Sequence, residues 1–405
     1  MSEKRSAATI FVLITVLIDS VGFGIIIPGF PSLISELAHT DTSGAARYGG
    51  FLFAAYAVMQ FLFSPVVGGL SDQYGRRPIL LASLFGFGLD YLFLIFAPSI
   101  GWLFVGRLIA GIMGASFTTA AAYIADISTP EKRGQNFGMI GAAFGIGFII
   151  GPIIGGFASH YGTRVPFMVA GVLTMCNWLY GYFVLPESLK LENRRKFDWK
   201  RANPVGALLN LKRFPMIIGL VAALFLVYIS SFSTQGTWTY FTKERFNWSD
   251  REIGLSLSFV GVMIALVQGG LTRIAIPKLG AKNAIYVGYT FSILGALAYT
   301  FADKPWMMYA IMVPYSLGGL AGPAMQGLIS GQVPANEQGE LQGSLTSLNS
   351  IASIIGPVLM TTLFAKFTAK DAPIYFPGVP FLASVILTSL SLVLIIRTLR
   401  NKLNL

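Results

Sequence analysis

Apolar runs of roughly twenty residues, each closed by a short polar loop, recur along the whole chain. At 1.5 Å rise per residue, a helix of about 20 residues crosses the hydrocarbon core of a bilayer. The pattern predicts twelve spans, near 9–30, 48–70, 78–97, 101–125, 134–159, 165–185, 215–241, 252–276, 282–302, 305–331, 339–367 and 378–397. The expected fold class is an all-α membrane protein with six spans in residues 1–189, a linker at 190–213 and six spans in 214–405. The first run, from about Thr9, lacks the short apolar core and small-residue cleavage site of a signal peptide, so it is expected to be a retained helix.

Composition agrees: 54% of the 405 residues are hydrophobic and 12% charged, where soluble domains carry about a quarter. The net charge of +11 would suit an acidic partner such as nucleic acid, but its distribution does not. With the N-terminus cytoplasmic, 20 Lys and Arg fall on that side and 8 on the other, and Arg107 lies within a span. That bias places both termini in the cytoplasm. Eight of the basic residues lie between Lys190 and Arg213, where anionic lipid headgroups are the expected partner. The single Cys176 cannot form an internal disulfide, and the two histidines, His39 and His160, fall in outer loops. No Walker loop, nucleophile elbow or metal-spaced His/Cys cluster is present, so neither an enzyme nor a metal site is expected.

Ionisable residues inside the spans are confined to the first half. Asp19, in VLIDSVGFGIIIP, lies near mid-membrane, where an ionised carboxylate costs at least several kcal/mol unless paired or hydrated. Asp90 in span three and Arg107 in span four both lie about 10 Å below the outer boundary by rise per residue. Depth permits an Asp90–Arg107 pair, yet Asp19 is near the same level, and sequence leaves the partner of Arg107 open. Past Asp198 every carboxylate falls in a loop or at a span end. The second half instead offers Tyr228, Gln235, Trp238, Gln326 and Asn349 as pocket candidates, and span two of the first half adds Gln60.

Two motifs stand out. Gly68–Leu80, GGLSDQYGRRPIL, is a charged turn between spans two and three. Tight turning accounts for its glycines and proline, but not for Asp72 closing one membrane helix while Arg76 and Arg77 open the next. Asp126 and Arg133, at the end of span four and the start of span five, are placed to bracket Arg76 and Asp72. In span five, Gly147, Gly151, Pro152, Gly155 and Gly156 form a G-x-x-x-G-P-x-x-G-G pattern suited to close helix packing and a bend. Part of it recurs: Gly134, Gly138, Ile149, Ile150, Gly151 and Pro152 return 205 residues later as Gly339, Gly343, Ile354, Ile355, Gly356 and Pro357. Such a repeat fits two related six-span halves.

Gly68, Leu70, Asp72, Gly75, Arg76, Arg77 and Leu80 resemble the loop signature of major facilitator superfamily transporters. The span-five pattern is similar to the antiporter motif of that superfamily. Segments such as LIDSVGFGIIIP, FGLDYLFL, GRLIAGIMGA, GPAMQGLISGQV and GELQGSLTSLNSIASIIGP resemble the tetracycline-exporter branch of its drug:proton antiporters. The resemblance implies alternating access in the bacterial plasma membrane, with protons and a small amphipathic molecule as cargo and no cofactor. It implies proton coupling by Asp19, Asp90 and Arg107, drug contact by Gln60, and a gate built by the signature loop. A monomer is expected. The branch carries a histidine in span eight and an aspartate in span nine, where this chain reads Ile264 and Ser292, so cargo other than tetracycline is expected. The competing reading is a facilitator or symporter of a metabolite, which the span-five pattern disfavours. A receptor or scaffold that no longer transports would have little use for a costly buried Asp19 and Arg107.

Overall fold

A computed structural model describes residues 2–114, 116–128, 130–197, 203, 206, 217–333 and 337–402. Helices make up almost all of it, and no strand occurs among the described residues. In a bilayer a helix satisfies every backbone N–H and C=O within one segment, which is why apolar runs of this length fold this way. In chain order the helices are α1 (Ser2–Ala38), α2 (Thr42–Tyr74), α3 (Arg76–Phe96), α4 (Ile100–Met113), α5 (Ser116–Ile127), α6 (Pro130–Ala158) and α7 (Val165–Val184). They continue as α8 (Ile218–Gln235), α9 (Trp238–Phe246), α10 (Asp250–Ile264), α11 (Thr272–Thr300), α12 (Pro305–Ser316), α13 (Ala321–Ser330), α14 (Gln338–Thr368) and α15 (Val379–Lys402). The expected linker 190–213 lies largely outside the described residues.

All twelve predicted spans coincide with helix, although nine stretches among the described residues are long and apolar enough to cross a membrane unaided. Spans four and ten are interrupted, and spans eight and nine run on as one stretch, Asp250–Thr300. Span four divides at Gly114 into α4 and α5, and span seven divides at Gly236–Thr237 into α8 and α9. Span ten divides at a 3-10 turn, Leu317–Leu320, just after Pro314. Span eight runs from α10 through a π turn, Ala265–Leu271, into the start of α11, and Gly280 (φ 75°) turns the chain toward span nine. Glycine reaches that left-handed region without steric cost, whereas a Cβ there is strained.

The chain divides into two compact units. The first holds Met1–His39, Ala55–Asn203 and Ser249–Ser258; the second holds Thr40–Ala54, Pro204–Trp248 and Phe259–Leu405. In the first, Val12, Val16, Leu80, Ala120, Tyr123, Ile124, Ile140 and Leu185 form an apolar core between α1, α3, α5, α6 and α7. Spacing of four residues along α6 brings Gly147 onto Leu17 and Ser20, Gly151 onto Val21 and Gly24, and Gly155 onto Ile25 of α1. A Cβ at Gly155 would lie 2.2 Å from the carbonyl oxygen of Ile25, so backbone meets backbone there. In the second unit, Leu220, Leu224, Ile285, Tyr289, Ala321, Met325, Leu341 and Ile395 close a core between α8, α11, α13, α14 and α15. Large apolar side chains on the outward faces, among them Leu92, Val172, Ile386 and Leu390, are exposed, as a lipid-facing surface requires.

Candidate functional site

Arg107 takes Asp90 as its partner. The side chain of Asp90 is 3% exposed and that of Arg107 13% exposed. Nε of Arg107 donates to Oδ1 of Asp90 at 3.2 Å, and Nη2 meets Oδ2, so the pair is bidentate. Close approach of α3 and α4 makes this possible: Gly106 lies against Asp90, where a Cβ would stand 2.8 Å from Oδ1. The guanidinium also stands 6.0 Å from the ring centre of Phe30.

Asp19 sits apart from that pair. The side chain of Asn177 from α7 neighbours its carboxylate, with Tyr56 and Tyr91 close enough to feel its charge. No cation pairs with Asp19 among the described residues. The first unit therefore holds two acids of different character, one neutralised by a guanidinium and one held by neutral groups. Gln60 acts locally. Its Nε2 donates to the carbonyl oxygen of Gly114 at 3.1 Å, where span four breaks and that acceptor would otherwise lack a helical partner. It also approaches the Tyr56 hydroxyl at 3.3 Å, which places it beside the charged group.

The signature loop is a connected cluster. Gly75 (φ 106°) makes the turn between α2 and α3. Arg76 pairs with Asp72 (Nη1–Oδ1 2.6 Å) and Asp126 (Nε–Oδ2 3.1 Å), and donates to Ser71 Oγ at 2.6 Å. Arg77 Nη2 donates to the carbonyl of Tyr182 at 2.7 Å. Gly68 is open, with nothing near the place of its missing Cβ. The side chain of Arg133 lies outside the described residues.

Sequence reasoning missed Glu187, which follows span six. Its two carboxylate oxygens accept the backbone N–H groups of Arg76 (2.8 Å) and Arg77 (3.2 Å), the unsatisfied donors that open α3. Ser188 Oγ donates to Asp126 at 3.1 Å. Farther on, the Arg195 N–H reaches the carbonyl of Asp72, the Phe197 N–H reaches Gln73 Oε1 at 3.0 Å, and the Phe197 ring packs on Gly69. An acid just past a basic helix start elsewhere in the chain is a usable signal, but sequence does not say which of several helix starts it caps.

The second unit is chemically different. Gln326 Nε2 donates to Gln342 Oε1 at 3.1 Å, joining α13 to α14. Along α14, the hydroxyls of Thr346, Ser350 and Ser353 each donate to the carbonyl four residues back, at 2.9, 3.0 and 2.9 Å. With Asn349 these residues form one exposed to half-exposed face of α14. Gln235 is exposed at the end of α8, whereas Trp238 is buried and meets Tyr299 edge-on at 5.4 Å. Ile264 is 42% exposed at the start of the π turn, and Ser292 packs on Gly318. Gly356, the repeat partner of Gly151, packs on Phe232.

The family model for the Major Facilitator Superfamily matches residues 12–357 and 278–403. The chain is 40% identical over 362 residues to the class C tetracycline resistance protein of Escherichia coli, covering 89% of this chain and 91% of that protein. It is 34% identical over 388 residues to the class H protein of Pasteurella multocida, covering 95% and 94%. Among solved structures, a bacterial homologue of the human lysosomal transporter Spinster superposes with TM-score 0.78 at 14% identity, covering 100% of this chain and 98% of that one. The human organic anion transporter MFSD10 superposes with TM-score 0.70 at 23% identity, covering 96% and 99%. Both likenesses concern the fold alone.

Proposed function

We propose that this chain, which belongs to the Major Facilitator Superfamily, is a proton-coupled antiporter exporting a small amphipathic compound by alternating access. It is a multi-pass membrane transporter and not an enzyme. The observation that carries the antiport reading is the separation of the two acids. Asp90 is committed to Arg107, while Asp19 is half-buried among neutral groups. A carboxylate in that setting costs the bundle free energy whenever it is charged, so it gains or loses a proton as access changes. In this reading Asp19 carries the proton, and Asp90 and Arg107 hold the field around it. Substrate entering from the cytoplasm and a proton arriving from outside compete for the same charged site.

Residues 214–405 then act as the second bundle, joined to residues 1–189 by the basic linker at anionic lipid. Gln326, Asn349, Gln235 and Gln60 supply neutral substrate contacts, and Trp238 supports them from behind. The cluster of Asp72, Arg76, Arg77 and Asp126 stabilises one access state, and the glycines of α6 let it ride closely on α1. The protein works as a monomer in a bacterial plasma membrane with both termini cytoplasmic. Similarity to tetracycline resistance proteins supports a drug- or tetracycline-like cargo, and Ile264 and Ser292 favour one not carried as a metal complex. Everted membrane vesicles test this with ethidium and tetracycline as probes. Accumulation should follow an imposed proton gradient, cease on addition of a protonophore, and be lost in Asp19→Asn at unchanged protein abundance. Full gradient-driven accumulation in Asp19→Asn would overturn the assignment of the proton to Asp19, and the same result in Asp90→Asn as well would overturn the antiport reading.

A further inference from the structure

α1 and α7 meet along a polar seam inside an otherwise apolar interface. Thr15 and Asn177 are each 1% exposed. Thr15 Oγ1 donates to Asn177 Oδ1 at 3.3 Å, and Asn177 Nδ2 returns a bond to the backbone carbonyl of Thr15 at 3.4 Å. The same amide reaches Asp19, one turn farther along α1. An amide offers two N–H donors on its nitrogen and one acceptor oxygen. The oxygen is taken by the Thr15 hydroxyl, and an ionised carboxylate only accepts. The contact to Asp19 therefore comes from Nδ2, and the hydroxyl of Thr15 fixes which way the amide faces.

One turn earlier on α7, Thr174 is 2% exposed and hydrogen-bonds the hydroxyl of Tyr91. That hydroxyl lies against Gly22, where a Cβ would stand 2.8 Å from it. The surroundings of Asp19 can thus be named from each neighbouring helix. α7 brings Asn177 and Thr174, α3 brings Tyr91, and α2 brings Tyr56. α5 brings the apolar Ala120 and Ile124 to α1, α6 brings glycines, and Arg107 of α4 is held by Asp90.

We propose that Asn177 is the positioning residue for proton coupling: locked by Thr15, its amide orients the Asp19 carboxylate and sets how tightly that group holds its proton. A neutral amide suits this role because it stays uncharged at every pH and donates to the carboxylate oxygen in either protonation state. The proposal rests on Asp19 being the proton carrier, and it adds a residue that neither the signature loop nor the antiporter motif contains. The bland alternative is interhelical glue, the common role of Asn inside membrane bundles. Glue would affect abundance and thermal stability but not proton affinity.

The test reads the carboxyl group itself and needs no substrate. In purified full-length protein, the infrared C=O stretch of a protonated buried carboxyl is followed against pH, and the band absent from Asp19→Asn is assigned to Asp19. Asn177→Leu should raise the midpoint of that band by about one pH unit, since a hydrogen bond donated to the charged form lowers its proton affinity. Thr15→Val keeps the amide but frees its orientation, and should displace the midpoint by less. It also serves if Asn177→Leu fails to fold. The exchanged pair, Asp19→Asn with Asn177→Asp, should restore a titrating band. Midpoints unmoved in both Asn177→Leu and Thr15→Val would overturn the proposal. Antiport by Asp19 fails separately, through gradient-driven ethidium accumulation in Asp19→Asn.

Discussion

The two units house polar groups in apolar bundles by opposite means. The first places charge inside its helices, with a bidentate Asp90–Arg107 pair and an Asp19 beside the Asn177 amide, and adds a partly exposed Arg76 shared between Asp72 and Asp126 at the signature loop. The second buries hydroxyls. Ser230 Oγ lies 2.7 Å from Ser384 Oγ and 2.8 Å from Thr388 Oγ1, while the polar face of α14, built from Gln, Thr, Asn and Ser, is exposed. Its carboxylates, Glu244, Asp303, Glu337, Glu340 and Asp371, fall in loops or at helix ends. A hydroxyl whose proton already bonds its own helix is cheap to bury and indifferent to pH. A buried ion is costly and sensitive to every change in its surroundings. Under the proposed function, energy coupling falls to the first unit and shape and hydrogen-bond selection to the second.

Breaking the Asp90–Arg107 pair on one side should have the largest effect. Arg107→Ala leaves a lone buried carboxylate and should cost about 3–5 kcal/mol, read as a large drop in thermal midpoint in detergent together with loss of transport. The paired change Asp90→Asn with Arg107→Gln should recover most of the stability without recovering transport. If transport returns as well, the pair is scaffolding and the contrast between units weakens. Next comes Gly155→Leu, whose side chain has no room against the Ile25 backbone. It should force α6 from α1 at about 1–3 kcal/mol, read as reduced abundance and transport.

A smaller effect is expected at the signature loop. Glu187→Gln removes the charge that caps α3 and should cost about 0.3–1 kcal/mol, with slowed rather than abolished transport. In the second unit, Gln326→Ala or Asn349→Ala should raise KM for ethidium about fivefold, the equivalent of one hydrogen bond of about 1 kcal/mol. The dependence on the proton gradient should not change. A shift in that dependence would mean that the second unit takes part in coupling. The smallest effect belongs to Ser230→Ala, about 0.6 kcal/mol of stability with transport intact, the average worth of a hydrogen bond inside a membrane bundle.

Much of the architecture was legible because hydropathy is local. The twelve spans coincide with helices, since lipid leaves the backbone no other way to satisfy itself. The breaks were harder to read. Gly114 sits in an apolar run and Gly236 in a Ser/Thr-rich one, and a glycine in a membrane helix serves packing as often as interruption. At the site, depth along the helices brought Asp19, Asp90 and Arg107 to similar levels but left the choice of partner open. Glu187 and Asn177 escaped notice for a related reason. Each gains its meaning from a residue more than a hundred positions away, Arg76 in one case and Asp19 in the other.

The chain on its own determined that helices would cross a membrane, roughly where each begins and ends, and that ionisable side chains inside the spans belong to the first half. These follow from rise per residue and from the cost of polar groups in hydrocarbon, which act on each segment separately. Only the tertiary structure decided that Arg107 takes Asp90, that Asp19 is left to an amide, and that Glu187 closes the start of α3. Those outcomes depend on how each helix is rotated about its own axis. A helix that is apolar on nearly every side carries little sequence pattern to fix that rotation, so packing against its neighbours fixes it instead.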